Sequence, residues 1–162
     1  MIGDLDRLAS GLNPGMVREG SLREALAELV RGCGVAVDLE LDADIDGLRE
    51  DLTALVYFLV AECLTNVARH GRATRARVDV RARPTLVVEV RDDGRGGASI
   101  RAGRGLQGLA DRVAIAGGRF EVASPAGGPT CVRAEIPQLD PLPPRASGLP
   151  GQDATGGLTG SG

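Results

Sequence analysis

The chain has 162 residues, of which 43% are hydrophobic, with no Trp, one Tyr and two Phe, so its length and composition predict one domain with an aliphatic core. Its 19 basic residues are all Arg, and its 22 acidic residues leave a net charge of −3. That balance disfavours a general nucleic-acid-binding protein and a protein that binds anionic membranes.

The first elements along the chain are helical. Residues 4–12, "DLDRLASGL", predict a short helix or the end of a longer one. A second helix, "SLREALAELV", begins with Ser21 and Glu24 in the spacing of a capping box and ends at Gly32. The next segment, "VAVDLEL", alternates apolar and polar residues, which predicts a strand.

A long apolar helix follows, from about Leu48 to His70. It carries Glu62, Asn66, Arg69 and His70 at spacings that place all four on one helical face. The opposite face is also apolar, and such a helix is normally buried. Burying an unpartnered carboxylate or amide costs about 1–3 kcal/mol or more. The pattern therefore indicates that some other group satisfies Glu62 and Asn66.

The second half of the chain contains strands and glycine-rich turns. The segments "RARVDVRAR" and "TLVVEVRD" are separated by Pro84 and predict a hairpin. The loop "DDGRGGASIRAGRG" leads to a helix, "LQGLADRVAIA", that ends at Gly117 and Gly118. Two further strands, "RFEVAS" and "TCVRAEI", flank the turn "PAGGP". Elements in this order predict an α+β fold, a two-layer α/β sandwich.

Arginines alternate with apolar residues in "RARVDVRAR". This alternation favours a solvent-exposed strand face. A patch that binds phosphate or nucleic acid is the alternative interpretation.

The cysteines and the hydropathy pattern bear on the cellular compartment. Cys33, Cys63 and Cys131 stand far apart without a CxxC pair, so we expect buried reduced thiols rather than a disulfide framework or a zinc site. No apolar run reaches transmembrane length and no signal peptide opens the chain. A cytoplasmic location without direct membrane contact is therefore predicted.

Two glycine clusters surround the loop after the second hairpin strand. "DDGRGG", Asp92 to Gly97, follows that strand directly, and "GRGLQG", Gly103 to Gly108, opens the next helix. Glycines allow a backbone to approach a ligand closely, and a helix N-terminus favours anions. The GK[ST] ending of a P-loop is absent, and the glycine spacing does not fit a Rossmann fingerprint.

Taken in order, these motifs resemble the ATP-binding domain of sensor histidine kinases, within the GHKL ATPase superfamily. "ECLTNVARH" is similar to the family's N box and "DDGRG" to its first glycine box. "GRGLQGLADRVAIAGGRFEVASPAGGPTCVRAEIP" resembles its second glycine box and closing hairpin, and with "LDRLASGLNPGMVREGSLREALAEL" it is most similar to the NarL/DesK type. The resemblance covers nearly all of residues 4–137. It implies the Bergerat ATP-binding fold, with a mixed, mostly antiparallel sheet and helices on one face.

The resemblance also implies how the N box would act on Mg-ATP. Asn66 would bind Mg²⁺, which takes few protein oxygens and completes its shell with phosphate and water. Glu62 would orient magnesium-bound water or act as a base near the γ-phosphate. Arg69 and His70 would face the phosphates.

The glycine boxes would hold the rest of the nucleotide. Asp92 would accept a hydrogen bond from the adenine amino group. The residues that would let the base approach and support this contact are Gly94, Gly96 and Thr130. A short, mobile lid over the triphosphate would be formed by Gly103, Gly105 and Gly108, and Leu106 would also belong to the nucleotide site.

The same resemblance divides the chain into three parts. Residues 1–20 resemble the end of a dimerisation-domain helix and its linker, and residues 21–137 resemble the ATPase domain. Residues 138–162 are rich in Pro and Gly and are expected to be disordered. The only histidine is His70, in the N box, so either the phosphoacceptor histidine would come from another polypeptide or the chain would be a fragment of a longer kinase.

The principal interpretation is therefore the catalytic domain of a protein histidine kinase. It would deliver the γ-phosphate of ATP to a histidine of a dimerisation domain, from which the phosphate passes to a response regulator receiver domain. Two alternatives are a non-catalytic nucleotide-binding interaction module and a protein serine kinase of the anti-sigma-factor type, which shares the ATP-binding fold. Nucleic acid is not an expected partner.

Overall fold

The structure, a computed structural model of the chain, describes residues 20–70, 72–102 and 104–138, without the side chains of residues 70 and 102. In chain order these residues form α1 (Leu22–Gly32), β1 (Ala36–Leu41), a 3-10 helix (Ala43–Gly47), α2 (Glu50–His70), β2 (Arg75–Arg81), β3 (Thr85–Asp92), a second 3-10 helix (Ile100–Ala102), α3 (Arg104–Ile115), β4 (Arg119–Ala123) and β5 (Thr130–Pro137). The helix expected at residues 4–12 and all of the expected tail except Gln138 lie outside the described residues.

The five strands form one mixed sheet in the order β1-β2-β3-β5-β4. β1 pairs in parallel with β2, and the other neighbouring pairs are antiparallel. The β2–β3 pair is the hairpin expected around Pro84. Two parallel neighbours need a crossover connection, and α2 provides it between β1 and β2. This sheet, together with the helices, confirms the α+β expectation.

The apolar core lies on one face of the sheet. Alternate residues of β2, β3 and β5 are buried on that face, among them Val78, Val88 and Ala134, each 0% exposed. The helices contribute buried leucines such as Leu26 and Leu59 to the same hydrophobic cluster. The result is a helical layer packed on one side of the sheet.

The helix α2 is a central element of that layer. It begins at Glu50 rather than Leu48, and its first turn carries Glu50 and Asp51, which are favourable near a helix N-terminus. Among the described residues, α2 alone is long and apolar enough to span a membrane, a property shared by core helices of globular proteins. Its buried side chains are those of Leu52, Leu55, Val56, Leu59, Val60, Cys63, Leu64 and Val67.

The opposite face of the sheet is open and charged. The Arg77 guanidinium lies 2.7 Å from the carboxylate of Glu40 on β1. Arg81 pairs with Asp79 at 3.0 Å within β2. Arg77 and Arg81 thus pair with acidic residues on the solvent side, as expected of an exposed strand face.

All three cysteines are free thiols. Cys63 is buried, with 3% of its surface exposed, and this burial is the main reason that its pKa lies far above the usual value. Cys33 and Cys131 are only half-buried. The expectation of a buried thiol is therefore correct for Cys63 alone.

Candidate functional site

The end of β3 places a carboxylate in the interior. Asp92 is 9% exposed and is the only buried acidic side chain among the described residues. The Gly94 N–H donates to its Oδ1 at 2.8 Å, and its Oδ2 makes no hydrogen bond within the described ranges. Burial raises the pKa of Asp92 above the usual value, although the Gly94 hydrogen bond opposes that shift. A buried carboxylate with one unused oxygen is suited to accept a hydrogen bond from a ligand.

Thr130, the first residue of β5, is the cross-strand partner of Asp92. By strand alternation both side chains lie on the face that carries the core. The strand β3, which ends at Asp92, packs against α2. The structure therefore brings together, beside α2, the two residues to which the family resemblance assigns the adenine contact.

The glycine loop after Asp92 packs directly on the turn between β4 and β5. A Cβ at Gly96 would overlap the backbone oxygen of Pro125, and a Cβ at Gly128 would overlap that of Gly94. Gly96 and Gly128 also have positive φ angles, +67° and +80°. Glycine is required at both positions because two backbones meet there in conformations that other residues rarely adopt.

Ser124, the residue after β4, joins these segments through its side chain. Its Oγ accepts a hydrogen bond from the Ala98 N–H at 2.9 Å and lies 2.7 Å from Thr130 Oγ1. In the sequence, this serine ends the predicted strand "RFEVAS" and has no predicted role. Its signal was a short hydroxyl side chain at the base of the turn that leads to Thr130, since such side chains often bond nearby backbone groups.

Asp93, in contrast, has a structural role. Its carboxylate accepts hydrogen bonds from the Thr74 hydroxyl at 2.6 Å, the Thr74 N–H at 2.8 Å and the Arg75 N–H at 2.9 Å. These bonds, above all that of the Thr74 hydroxyl, lower the pKa of Asp93 to about 2. Asp93 thus links the connection between α2 and β2 to the end of β3, whereas Asp92 accepts a hydrogen bond from the Gly94 N–H alone among the described residues.

At the margin of the core, α2 carries its polar stripe, the helical face with Glu62, Asn66 and Arg69. Glu62 and Asn66 are half-buried, and Arg69 is exposed and interacts with another group. The side chains of Glu62 and Asn66 make no hydrogen bond to another protein group in the part of the chain that the structure describes. The side chain of His70 is outside the described residues, so its phosphate contact stays a prediction.

The first turn of α3 closes on Glu62. A Cβ at Gly105 would overlap the Glu62 carboxylate, so the two residues are in direct contact. The first turn of α3 has no acidic residue of its own, and Glu62 places a negative charge at this helix N-terminus. Leu106 is buried in the core and 6% exposed, whereas a Cβ at Gly108 would meet open space. Gly103 lies outside the described residues.

The oxygen donors of α2 suit a magnesium ion that is shared with a polyphosphate. The described residues contain no group of three or more His, Cys, Asp and Glu that could hold a metal ion. Mg²⁺ usually takes one or two protein side chains and completes its shell with phosphate and water. The Asn66 amide and the Glu62 carboxylate, one helical turn apart, fit that requirement.

Curated proteins of similar sequence are sensor proteins of signalling systems. The methanol utilization control sensor protein MoxY of Paracoccus denitrificans is 35% identical over 124 residues, which cover 67% of this chain and 28% of MoxY. The sensor histidine kinase NarS of Mycobacterium tuberculosis is 34% identical over 136 residues, which cover 78% of this chain and 32% of NarS. The chain thus spans about a third or less of the length of these relatives. No protein-family model matches it.

A solved structure agrees with these similarities. The histidine kinase domain of the blue-light activated histidine kinase EL346 from Erythrobacter litoralis matches with a TM-score of 0.59 and 26% sequence identity. The match covers 72% of this chain and 58% of that domain. The present chain therefore has the fold of a histidine kinase ATP-binding domain.

Proposed function

Because the chain belongs to the sensor histidine kinases and has the fold of their catalytic ATP-binding domain, we propose that it binds Mg-ATP and delivers the γ-phosphate to a histidine of a dimerisation domain. The phosphate would then pass to a receiver domain of a response regulator in the cytoplasm. The observation that carries the proposal is Asp92, buried, with one unused oxygen and with Thr130 as its strand partner.

Asp92 would recognise the base. An ionised carboxylate accepts the amino N–H of adenine in a charge-assisted hydrogen bond, which is stronger than a bond between neutral groups. Gly94 already occupies Oδ1 from the protein side, which leaves Oδ2 for the ligand. The close backbone packing at Gly96 would keep the glycine loop thin enough for a flat base to lie against it.

The polar stripe of α2 would bind the phosphates and their Mg²⁺ ion. Asn66 would hold Mg²⁺, which when bound neutralises charge on the phosphate oxygens. Arg69 and the N-terminus of α3 would attract the triphosphate. Glu62 would orient a water molecule or accept a proton near the γ-phosphate. As the bond from the γ-phosphorus to the bridging oxygen breaks, a new bond forms to the acceptor imidazole nitrogen and ADP leaves, so positioning supplies most of the catalysis.

Calorimetric titration with ATP, with and without Mg²⁺, tests the nucleotide site. Asp92→Asn removes a charge-assisted hydrogen bond worth roughly 1.5–3 kcal/mol, so ATP should bind about 10- to 100-fold more weakly. Asp79→Asn is the matched control, because Asp79 pairs with Arg81 on the open face of the sheet and should leave ATP binding unchanged. Asn66→Ala should keep magnesium-free binding and lose the enhancement by Mg²⁺. ATP binding by Asp92→Asn that equals the parent would refute the adenine assignment.

Labelled ATP and an added dimerisation domain test the transfer step. Acid-labile phosphate on that domain's histidine supports the histidine kinase. Acid-stable phosphoserine on a partner protein would favour the serine kinase of the anti-sigma-factor type instead. Binding of ATP without transfer to either acceptor would leave the non-catalytic interaction module.

A further inference from the structure

We propose that Ser124 is a positioning residue for the purine base, because it fixes the Thr130 hydroxyl as a hydrogen-bond donor beside Asp92. The inference rests on the proposed function and adds a residue to its base-recognition site. Ser124 touches neither the base nor the phosphates in this scheme. It acts on the ligand only through Thr130.

The hydrogen bonds of Ser124 determine the direction of the bond to Thr130. A hydroxyl oxygen has one proton and two lone pairs, and the Ala98 N–H occupies one lone pair of Ser124 Oγ. If Thr130 donated its proton to the other lone pair, the Ser124 proton would have no acceptor among the described residues. If Ser124 donates to Thr130 across the 2.7 Å between the two oxygens, the proton left without a protein acceptor is that of Thr130 instead. This second arrangement is favoured because the bond accepted from the Ala98 N–H polarises the Ser124 hydroxyl and makes it the better donor.

This direction leaves the proton of Thr130 available on the core face of the sheet. Asp92 is the cross-strand partner of Thr130 on that face. The two residues then present an acceptor, Asp92 Oδ2, next to a donor, the Thr130 hydroxyl. Adenine carries the complementary pair on one edge, an amino donor next to a ring-nitrogen acceptor, whereas guanine and hypoxanthine carry a carbonyl acceptor next to an N–H donor. Ser124 would thus favour adenine over the other two purines.

The position of Ser124 is itself fixed by the glycine loop. Its backbone oxygen accepts a hydrogen bond from the Gly97 N–H at 3.0 Å, while its side chain accepts the bond from Ala98. Two consecutive residues after the first glycine box therefore hold one serine. The hydroxyl of Ser124 cannot turn away from Thr130 without losing the Ala98 bond.

The experiment compares ATP with inosine triphosphate, which has a carbonyl and an N–H on the edge in question. Dissociation constants of both are measured by calorimetry for the full chain, Ser124→Ala, Ser124→Thr, Thr130→Val and the double variant Ser124→Ala/Thr130→Val. Loss of one neutral hydrogen bond should weaken ATP binding by Ser124→Ala about 3- to 10-fold and leave inosine triphosphate binding unchanged. Ser124→Thr keeps the hydroxyl and should keep the preference for ATP. In the Thr130→Val background, Ser124→Ala should have no further effect on that preference.

Two results would overturn the inference alone. One is equal weakening of both nucleotides in Ser124→Ala, and the other is an undiminished effect of Ser124→Ala in the Thr130→Val background. Either would mean that Ser124 only holds the loop together. Thermal unfolding confirms that each variant is folded, and Ser124→Cys, which keeps the size but is a weak donor, should shift the preference in the same direction as Ser124→Ala. A wild-type chain that binds no ATP would overturn the proposed function together with this inference.

Discussion

Asp92 should make nucleotide binding depend on pH, because burial raises the pKa of its carboxyl. The adenine amino group binds the ionised carboxylate better than the protonated one. ATP affinity should therefore fall as pH decreases through that raised pKa. Titrations with ATP from neutral to mildly acidic pH measure this, and Asp92→Asn is the control because it retains every other titrating group, including the phosphates. Parallel pH profiles for the two proteins would contradict the prediction.

The same burial should have the opposite effect on folding. The folded chain binds the Asp92 proton more tightly than the unfolded chain does. Asp92 therefore lowers the free energy of unfolding at pH values above its raised pKa, and this destabilisation decreases as pH falls. Asp92→Asn removes the charge but keeps an oxygen for the Gly94 N–H. At neutral pH the variant should unfold at a higher Tm than the parent while binding ATP more weakly. Such a pattern is typical of a residue retained for function at some expense of stability.

At the scale of elements, the contact between α2 and α3 should control the position of Glu62. Gly105→Ala would place a methyl group where the Glu62 carboxylate lies. A displaced catalytic group can lower a rate by up to about 100-fold, so we expect phosphate transfer to slow by about 10- to 100-fold. ATP affinity should change much less, because the base contacts are made by β3 and β5. Transfer rates to an added dimerisation domain, measured beside calorimetry, test this expectation.

Two further variants show whether the effect passes through Glu62. Gly118→Ala also meets occupied space, the Glu135 backbone oxygen, but it lies at the far end of α3. It should lower the Tm without slowing transfer by folded protein. Glu62→Asp shortens the side chain by one methylene, so it should recover part of the rate in the Gly105→Ala background. Slowing of equal size in Gly118→Ala would mean that general destabilisation explains the result.

Helices and strands were predictable from sequence where the pattern is local. Ser21 accepts a hydrogen bond from the Glu24 N–H at 3.2 Å, as the capping-box spacing predicted, and the β2–β3 hairpin follows the alternation around Pro84. The parallel pairing of β1 with β2 was not predicted in detail, because it depends on how α2 packs between them. The 3-10 helix Ala43–Gly47 also escaped prediction, since short turns of this kind leave no periodic pattern.

The candidate site was predictable as a set of motifs and not as a set of contacts. Asp92 and Thr130 are far apart in sequence, and their pairing arises from the register of β3 with β5. The contact between Gly105 and Glu62 depends on the packing of two helices, which sequence spacing cannot give. Ser124 has no periodic signal at all. Its role becomes visible only when the glycine loop and the β4–β5 turn are seen to meet.

At the scale of the whole molecule, Cys63 should report global unfolding. It is 3% exposed, in the core between α2 and the sheet, and burial raises the pKa of its thiol, so a thiol reagent cannot reach a reactive thiolate in the folded chain. In a Cys33→Ser/Cys131→Ser variant, labelling of Cys63 should therefore follow the unfolded fraction as denaturant is added. Rapid labelling in native buffer would contradict this and would show a local opening of α2.

The same labelling should connect the adenine site to the stability of the entire domain. If ATP binds only the folded chain, an ATP concentration of 100 times the Kd should slow Cys63 labelling about 100-fold. At that fixed concentration, protection should be lost or strongly reduced when Asp92→Asn is added to the double-serine variant, and it should be retained when Asp79→Asn is added. Because Cys63 lies on α2 while Asp92 ends β3, this pattern would mean that ATP bound at Asp92 stabilises the domain as a whole, including α2. Equal protection in all three proteins would mean instead that ATP binds the folded chain at a place other than Asp92.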